Sequence, residues 1–361
     1  MGRSVCVVIP SVGNADELGI ALDSLMAQTY YGPLEVVVVG PEKDPGRQQA
    51  ESRGLRFIDD AGSRTRADAC NVALGLTESD LVMFTDDDVI VPKDWVEKLA
   101  RWFERSEVAG VGGPNFAPPE NSTLQQQIID VSFCSRIFTA GTNYGRRGES
   151  DLEEVEQLPG VNSAYRRSIL AEVGGFPPGC IGAEDVILDH NIRQSGHRLW
   201  TDSEAVIWHR RRDLSSVKKQ IRNYGLVRSL ASHEHHELRT WSHVMVAMFP
   251  PIVITAFAFF FWGLYNGGLA SPWWDISFDA VPLGWPRAGV HSLVSLIVLY
   301  NLIAWYGAAK GSSPCRTPKT VFLSSIATFV LHWNYGMGVL RGWWRIFTGN
   351  SGLQIDDRVR G

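Results

Sequence analysis

Cysteine is scarce in this 361-residue chain. The five residues Cys6, Cys70, Cys134, Cys180 and Cys315 are odd in number, scattered and without a CxxC pair. The pattern argues against a disulfide framework and a thiolate zinc site, and fits reduced thiols. An excess of positive charge is also missing: 34 Lys and Arg stand against 39 Asp and Glu, for a net charge of −5. General nucleic-acid binding is therefore not expected. At the start of the chain the one apolar run, Val5–Pro10, is too short for a signal-peptide core, so the first part is expected to face the cytoplasm. Internal repeats and low-complexity tracts are absent too.

Three later segments lack charge altogether. Val244–Tyr265, Ala288–Ala309 and Thr320–Leu340 contain no Asp, Glu, Lys or Arg, and each reaches the roughly 20 residues that cross a bilayer as helix. They divide the chain into a cytoplasmic domain (1–240), a membrane domain of two or three transmembrane or re-entrant helices (241–347) and a polar tail (348–361). Arg210, Arg211, Arg212, Lys218, Lys219, Arg222, Arg228 and Arg239 precede the first segment, as in a surface facing anionic lipid, although a solvated helix face has the same composition. The cations Lys310, Arg316 and Lys319 place the second loop inside with the first domain. A complete third crossing would put Arg341, Arg345, Arg358 and Arg360 outside, so an interfacial or re-entrant third segment stays open. Pro250-Pro251 predicts a kink, or a break between an entry segment and the span.

The first 240 residues carry an alternating pattern. Val5–Pro10 and Leu34–Gly40 are β-rich runs, with helical spacing through Leu18, Leu22 and Leu25 between them. A strand at Arg56–Ile58, a helix over Ala67–Leu76, a strand at Leu81–Thr85 and an amphipathic helix over Pro92–Arg105 follow. This order predicts a parallel sheet covered by helices. Beyond Val108–Phe116 the pattern loosens, returning with a strand near Val161–Arg166, a helix after Glu184, and Leu199–His209.

The tripeptide Asp86-Asp87-Asp88 ends the buried run Leu81–Thr85. Three carboxylates there repel each other and lose hydration, a cost that a cation offsets. Strand alternation aims Asp86 and Asp88 to one side, where hard oxygen ligands suit Mg²⁺ or Mn²⁺ carrying a diphosphate. An acidic turn in which Asp88 or Asp94 caps the helix near Trp95 fits the tripeptide equally. The run His233-Glu234-His235-His236-Glu237 has metal-binding composition, though most such clusters are solvated.

With Val8-Ile9-Pro10-Ser11, the Asp triplet, Pro159–Arg167, Val173–Phe176, Gly182-Ala183-Glu184-Asp185 and Gly196–Arg198 in this order, the chain resembles an inverting family 2 glycosyltransferase of the GT-A fold. The resemblance runs from Val5 to Arg228; through Gln220–Gly225 and the membrane segments it resembles the membrane-attached succinoglycan-type branch. It implies an α/β, Rossmann-like, mostly parallel sheet with flanking helices, plus C-terminal transmembrane helices. Asp185 is implied as base, with Glu184 orienting it or contacting acceptor hydroxyls. Asp86, Asp88 and His209 are implied as metal ligands, although His209 also fits a structural role. Nucleotide contacts fall to Pro10, Ser11, Val12, Arg66, Asp86, Asp87 and Arg222, with Arg64 able to substitute for Arg66. One departure concerns the end of the second strand, where relatives carry an acidic residue and this chain has Val39-Gly40-Pro41; Glu42 or Asp44 is expected to take that place.

The expected activity is sugar transfer from a nucleotide-diphosphate donor, UDP-linked, to a hydroxyl of a membrane-associated, polyprenyl-linked saccharide in surface polysaccharide or glycoconjugate assembly. The expected setting is the cell membrane, with several passes and lipid contacts. Rival readings are a processive polysaccharide synthase, a polyprenyl-phosphate monosaccharide transferase and a catalytically silent membrane scaffold.

Overall fold

A computed structural model describes residues 2–63, 65–135, 137, 139, 151–180, 182–266 and 281–353, with the backbone alone for 281–287. The chain opens with β1 (Val5–Pro10), α1 (Ala15–Met26), β2 (Leu34–Gly40), α2 (Gly46–Glu51), β3 (Arg56–Asp59), α3 (Arg66–Leu76) and β4 (Leu81–Phe84). Next come β5 (Val89–Ile90), α4 (Trp95–Ala100), β6 (Val108–Gly112), β7 (Asn115–Phe116), α5 (Leu124–Phe133), β8 (Leu152–Val155), β9 (Ser163–Arg166) and α6 (Arg167–Glu172). α7 (Glu184–Gln194), β10 (Arg198–Asp202) and β11 (Ile207–His209) complete the sheets. The remainder is helical: α8 (Leu214–Glu234), α9 (Trp241–Ala247), α10 (Phe249–Tyr265), α11 (Val281–Lys310) and α12 (Pro318–Phe347).

Eight strands form one sheet in the order β3-β2-β1-β4-β9-β6-β10-β8. It is mostly parallel, with β9 antiparallel to both neighbours and β8 antiparallel to β10. The β-branched runs of β1 and β2 are buried on both faces, as a helix-covered parallel sheet requires. Leu18, Leu22, Leu25, Trp95, Leu99 and Phe103 pack one face, and Cys70, Ala73, Tyr165, Leu170 and Leu188 the other. Register aligns Pro10 with Val39 and Val8 with Phe84, so Ser11, Gly40 and the Asp triplet emerge along one edge. Strand direction reverses between β4 and β9, the kind of position where open α/β sheets hold ligands.

A second sheet, β5-β11-β7, pairs His209 with Val89 and so brings its imidazole beside Asp88. α9 and α10 part at Met248, just before Pro250-Pro251, giving the break expected there. Two helical stretches, Trp241–Tyr265 and Ala288–Lys310, are long and apolar enough to cross a membrane. α12 differs. Its Ser324, Thr328, Asn334, Gly338 and Gly342 face protein, whereas Phe322, Ile326, Phe329, Met337 and Trp344 are exposed on the opposite side. The buried stripe lies against α8 and α5, where Leu331 and Ala327 meet Ile221, Val217 and Ile128.

Candidate active site

Two cavities meet at the edge where β1, β2 and β4 end, and Thr65, Arg66, Asp86, Phe133 and Tyr224 line both. The first, of about 540 Å³, is bounded by Pro10, Ser11, Val12, Gly40, Asp60 and the Asp triplet. The triplet lies past the end of β4 with Asp87-Asp88 in a turn, so the turn and not the strand alternation expected from the sequence separates the three carboxylates. Asp87 turns back to accept hydrogen bonds from Ser11 Oγ at 2.7 Å and Asn14 Nδ2 at 3.3 Å. Burial raises its pKa, with those bonds pulling the other way.

Among the described residues, Asp86, Asp88 and His209 form one group whose ligand atoms all lie within 4.8 Å of one another. His209 Nε2 lies 3.1 Å from Asp88 Oδ1, and its Nδ1 is buried without a hydrogen-bond partner. Burial pushes the Asp88 carboxyl up, but the hydrogen bond and charge of His209 leave it below the usual range. Two carboxylates and one imidazole suit a divalent cation such as Mn²⁺ or Mg²⁺, so the donor set fits the metal that the fold implies. The capping alternative does not hold: Asp94 makes no side-chain cap and pairs with Lys98 at 2.9 Å. In the His233–Glu237 run, Glu237 lies near His236 at 3.4 Å and His190 at 3.9 Å, and no metal-like grouping forms among the described residues there.

The second cavity, of about 880 Å³, contains Glu184 and Asp185. They open α7, directly after Ala183, which holds a left-handed backbone (φ 57°) uncommon for a residue with a side chain. Asp185 Oδ2 accepts the Gly160 N–H at 3.2 Å. Burial, then the neighbouring Asp185 charge, raises the Glu184 pKa. Arg66 joins the two halves of the site. Its guanidinium lies 3.2 Å from Asp86 Oδ1 and 3.7 Å from Glu184 Oε1, and it donates to the Gly160 carbonyl at 2.8 Å. A Cβ on Gly160 would sit 3.1 Å from Asp185 Oδ2, so glycine permits this close approach.

Two anticipated nucleotide contacts lie elsewhere. Arg222 donates to Asn334 Oδ1 at 2.7 Å across the α8–α12 interface, because its place on the helix turns it from the cavity toward α12. Glu42 is exposed beyond the cavity, and its carbonyl receives Arg47. Asp44 is buried but accepts the Gly13 and Gly46 N–H groups, each at 2.7 Å. Sequence reasoning missed Asp60 and Arg212, both of which line the first cavity. The signal for Asp60 was its position just after β3, one strand over from β2; for Arg212 it was its place three residues after His209. Arg64 lies outside the described residues.

This architecture is the α/β fold of GT-A glycosyltransferases. Over 95% of this chain it is similar to a mannosyltransferase from Pyrobaculum calidifontis solved with GDP-Man and Mn²⁺, at 19% identity, 88% coverage of that chain and a TM-score of 0.51. Residues 6–174 match the model of glycosyl transferase family 2. Among curated relatives, an O-antigen chain rhamnosyltransferase of Salmonella typhimurium is 24% identical over 57% of this chain and 66% of its own length. A glucosyl-dolichyl phosphate glucuronosyltransferase of Haloferax volcanii is 26% identical over 49% of this chain and 56% of its own. The chain thus spans between about half and two thirds of these relatives. Neither is named for the succinoglycan-type branch anticipated from the sequence.

Proposed function

We propose that this chain transfers a sugar, with inversion, from a nucleotide-diphosphate donor to a hydroxyl of a lipid-linked saccharide at the membrane surface. The supporting observation is Arg66, whose guanidinium ties Asp86 of the acidic triplet to Glu184 and to the Gly160 peptide that holds Asp185. A donor seated in the first cavity would present its anomeric carbon to a hydroxyl entering through the second. Asp185 takes the hydroxyl proton, and Glu184 and Gly160 position it. Mg²⁺ or Mn²⁺, held by Asp86, Asp88 and His209, would neutralise the departing diphosphate. Arg212, exposed in the first cavity with its charge reaching Asp88, takes the diphosphate role expected of Arg222. Ser11 and Asp60 flank the nucleoside, for which uracil is the expected base.

The two apolar helical stretches would hold the open side of the domain at the cytoplasmic face of the cell membrane, where acceptor lipid is concentrated. The named relatives of O-antigen and dolichyl-phosphate chemistry favour a glycoconjugate product. The test is a panel of radiolabelled UDP-, GDP- and dTDP-sugars offered with Mg²⁺ or Mn²⁺ and a membrane lipid extract. Label should enter the lipid fraction from one donor and stop in EDTA; label appearing in no lipid with any donor would refute the reading.

A further inference from the structure

The second cavity extends from Glu184 and Asp185 to α8, the start of α9 and α12, and contains one cation that the proposed chemistry leaves unused. Arg228, on α8, has a buried Nε with no hydrogen-bond partner, and its Nη2 makes one long bond, 3.4 Å, to the Leu238 carbonyl. Leaving a guanidinium N–H desolvated and unpaired is costly unless an anion completes it. Among the described residues no acidic group does so: Glu156 is 74% exposed and lies 3.7 Å from Arg193, and Asp185 accepts the Gly160 N–H. Burial pulls the Arg228 pKa down, with Tyr335, Asp185 and Glu156 acting against it.

The surroundings indicate the kind of anion. His243, in the same cavity, bonds through Nδ1 to Thr240 Oγ1 and stacks on Tyr335 with 6.0 Å between ring centroids. It stands at the start of the first helical stretch long enough to cross a membrane. The cavity wall between these polar groups is apolar, with Val227, Val246 and Leu331. The cavity thus holds the carboxylates for hydroxyl chemistry together with an unsatisfied cation beside hydrocarbon.

We propose that Arg228, supported by His243, binds the phosphate that links the acceptor saccharide to its isoprenoid carrier. This rests on the glycosyltransferase reading above and adds the acceptor's anionic linkage. A phosphate offers the several acceptor oxygens that a fork of N–H donors needs, and the lipid tail leaves along the apolar wall.

The test uses the full chain in detergent, in EDTA and with saturating UDP, and titrates farnesyl diphosphate, farnesol, inorganic pyrophosphate and phosphatidylglycerol by tryptophan fluorescence. Farnesyl diphosphate should bind well ahead of the other three. Its affinity should fall about 10- to 100-fold in Arg228→Gln and less in Arg228→Lys, the range expected for a buried charged hydrogen bond. Farnesol affinity should not move, and an unchanged melting temperature and UDP titration with Mn²⁺ would report that the variants are folded. Equal farnesyl diphosphate affinity in folded Arg228→Gln, or equally tight phosphatidylglycerol binding by wild type, overturns the proposal. Failure of every sugar donor in the panel above, with this phosphate selectivity intact, would instead count against the transferase reading alone.

Discussion

Asp189 is fully buried, accepting the Leu158 N–H at 2.6 Å and the Tyr165 hydroxyl at 2.8 Å. Through Leu158 it steadies the turn that carries Gly160, and so both Arg66 and Asp185. Burial raises its pKa well above the usual carboxylate value, with the two hydrogen bonds opposing. The native state therefore keeps a proton that the unfolded chain has released, and the stability this contributes at low pH is lost as pH rises toward the raised value. Asp189→Asn retains an acceptor for Leu158 and has no proton to lose. Its melting temperature relative to wild type should climb as pH rises from about 4, the unperturbed Asp range; a constant offset between the two curves would contradict this account.

At the scale of elements, α8 and α12 meet through small residues. A Cβ on Gly225 would lie 2.2 Å from the Tyr335 carbonyl oxygen, and one on Gly338 would lie 2.1 Å from that of Arg222. Both obstacles are backbone, so no side-chain rotation relieves them. Gly338→Ala should cost about 1–3 kcal/mol, the range for overpacking, and should weaken acceptor transfer more than UDP binding, because Leu331 and Tyr335 of α12 line the second cavity and not the first. Thermal melting together with separate UDP and transfer measurements checks both effects. The elements themselves were unevenly legible. β1 and β2 match their β-branched runs residue for residue, and the helix after Glu184 begins where the motif placed it. α5 went unforeseen among prolines and polar residues, and β8 arose from the acidic stretch Leu152–Val155, which pairs at a sheet edge. Apolar length could not distinguish α12 from a span, since a helix against protein and a helix in lipid draw on the same residues.

For the whole molecule, the C-terminal helices and the α/β layer share a core. Asp130 is buried and accepts from Arg211 Nε at 2.8 Å, from the Ala117 N–H at 2.8 Å and from the Ser313 hydroxyl, which belongs to the α11–α12 connection. Arg211 follows His209 by two residues, so this node ties that connection to the candidate metal site. The division at residue 240 expected from the sequence therefore cuts through packed surface. A fragment of residues 1–240 exposes Val217, Ile221 and Leu226, which α12 and Leu353 otherwise cover or adjoin. It should aggregate on expression while the full chain extracts as a monodisperse detergent complex. A soluble fragment that binds UDP with Mn²⁺ as tightly as the full chain would show the two parts to be independent. Of the residues the motifs put forward, Asp86 and Glu184 lie against the Arg66 guanidinium, Asp185 is reached through Gly160, and Asp88 sits beside His209. Arg66 was legible as a cation near the nucleotide but not as the bridge, because that role depends on Gly160 arriving from 94 positions away.

The most direct measurement compares sugar transfer by wild type and Asp185→Asn, each at saturating donor with Mn²⁺, alongside UDP affinity. Removal of a positioned base should lower turnover by about 10²–10⁴-fold while UDP affinity stays as it was. Transfer by the variant at the wild-type rate would show that the carboxylate beside Gly160 and the acidic triplet do not serve one reaction.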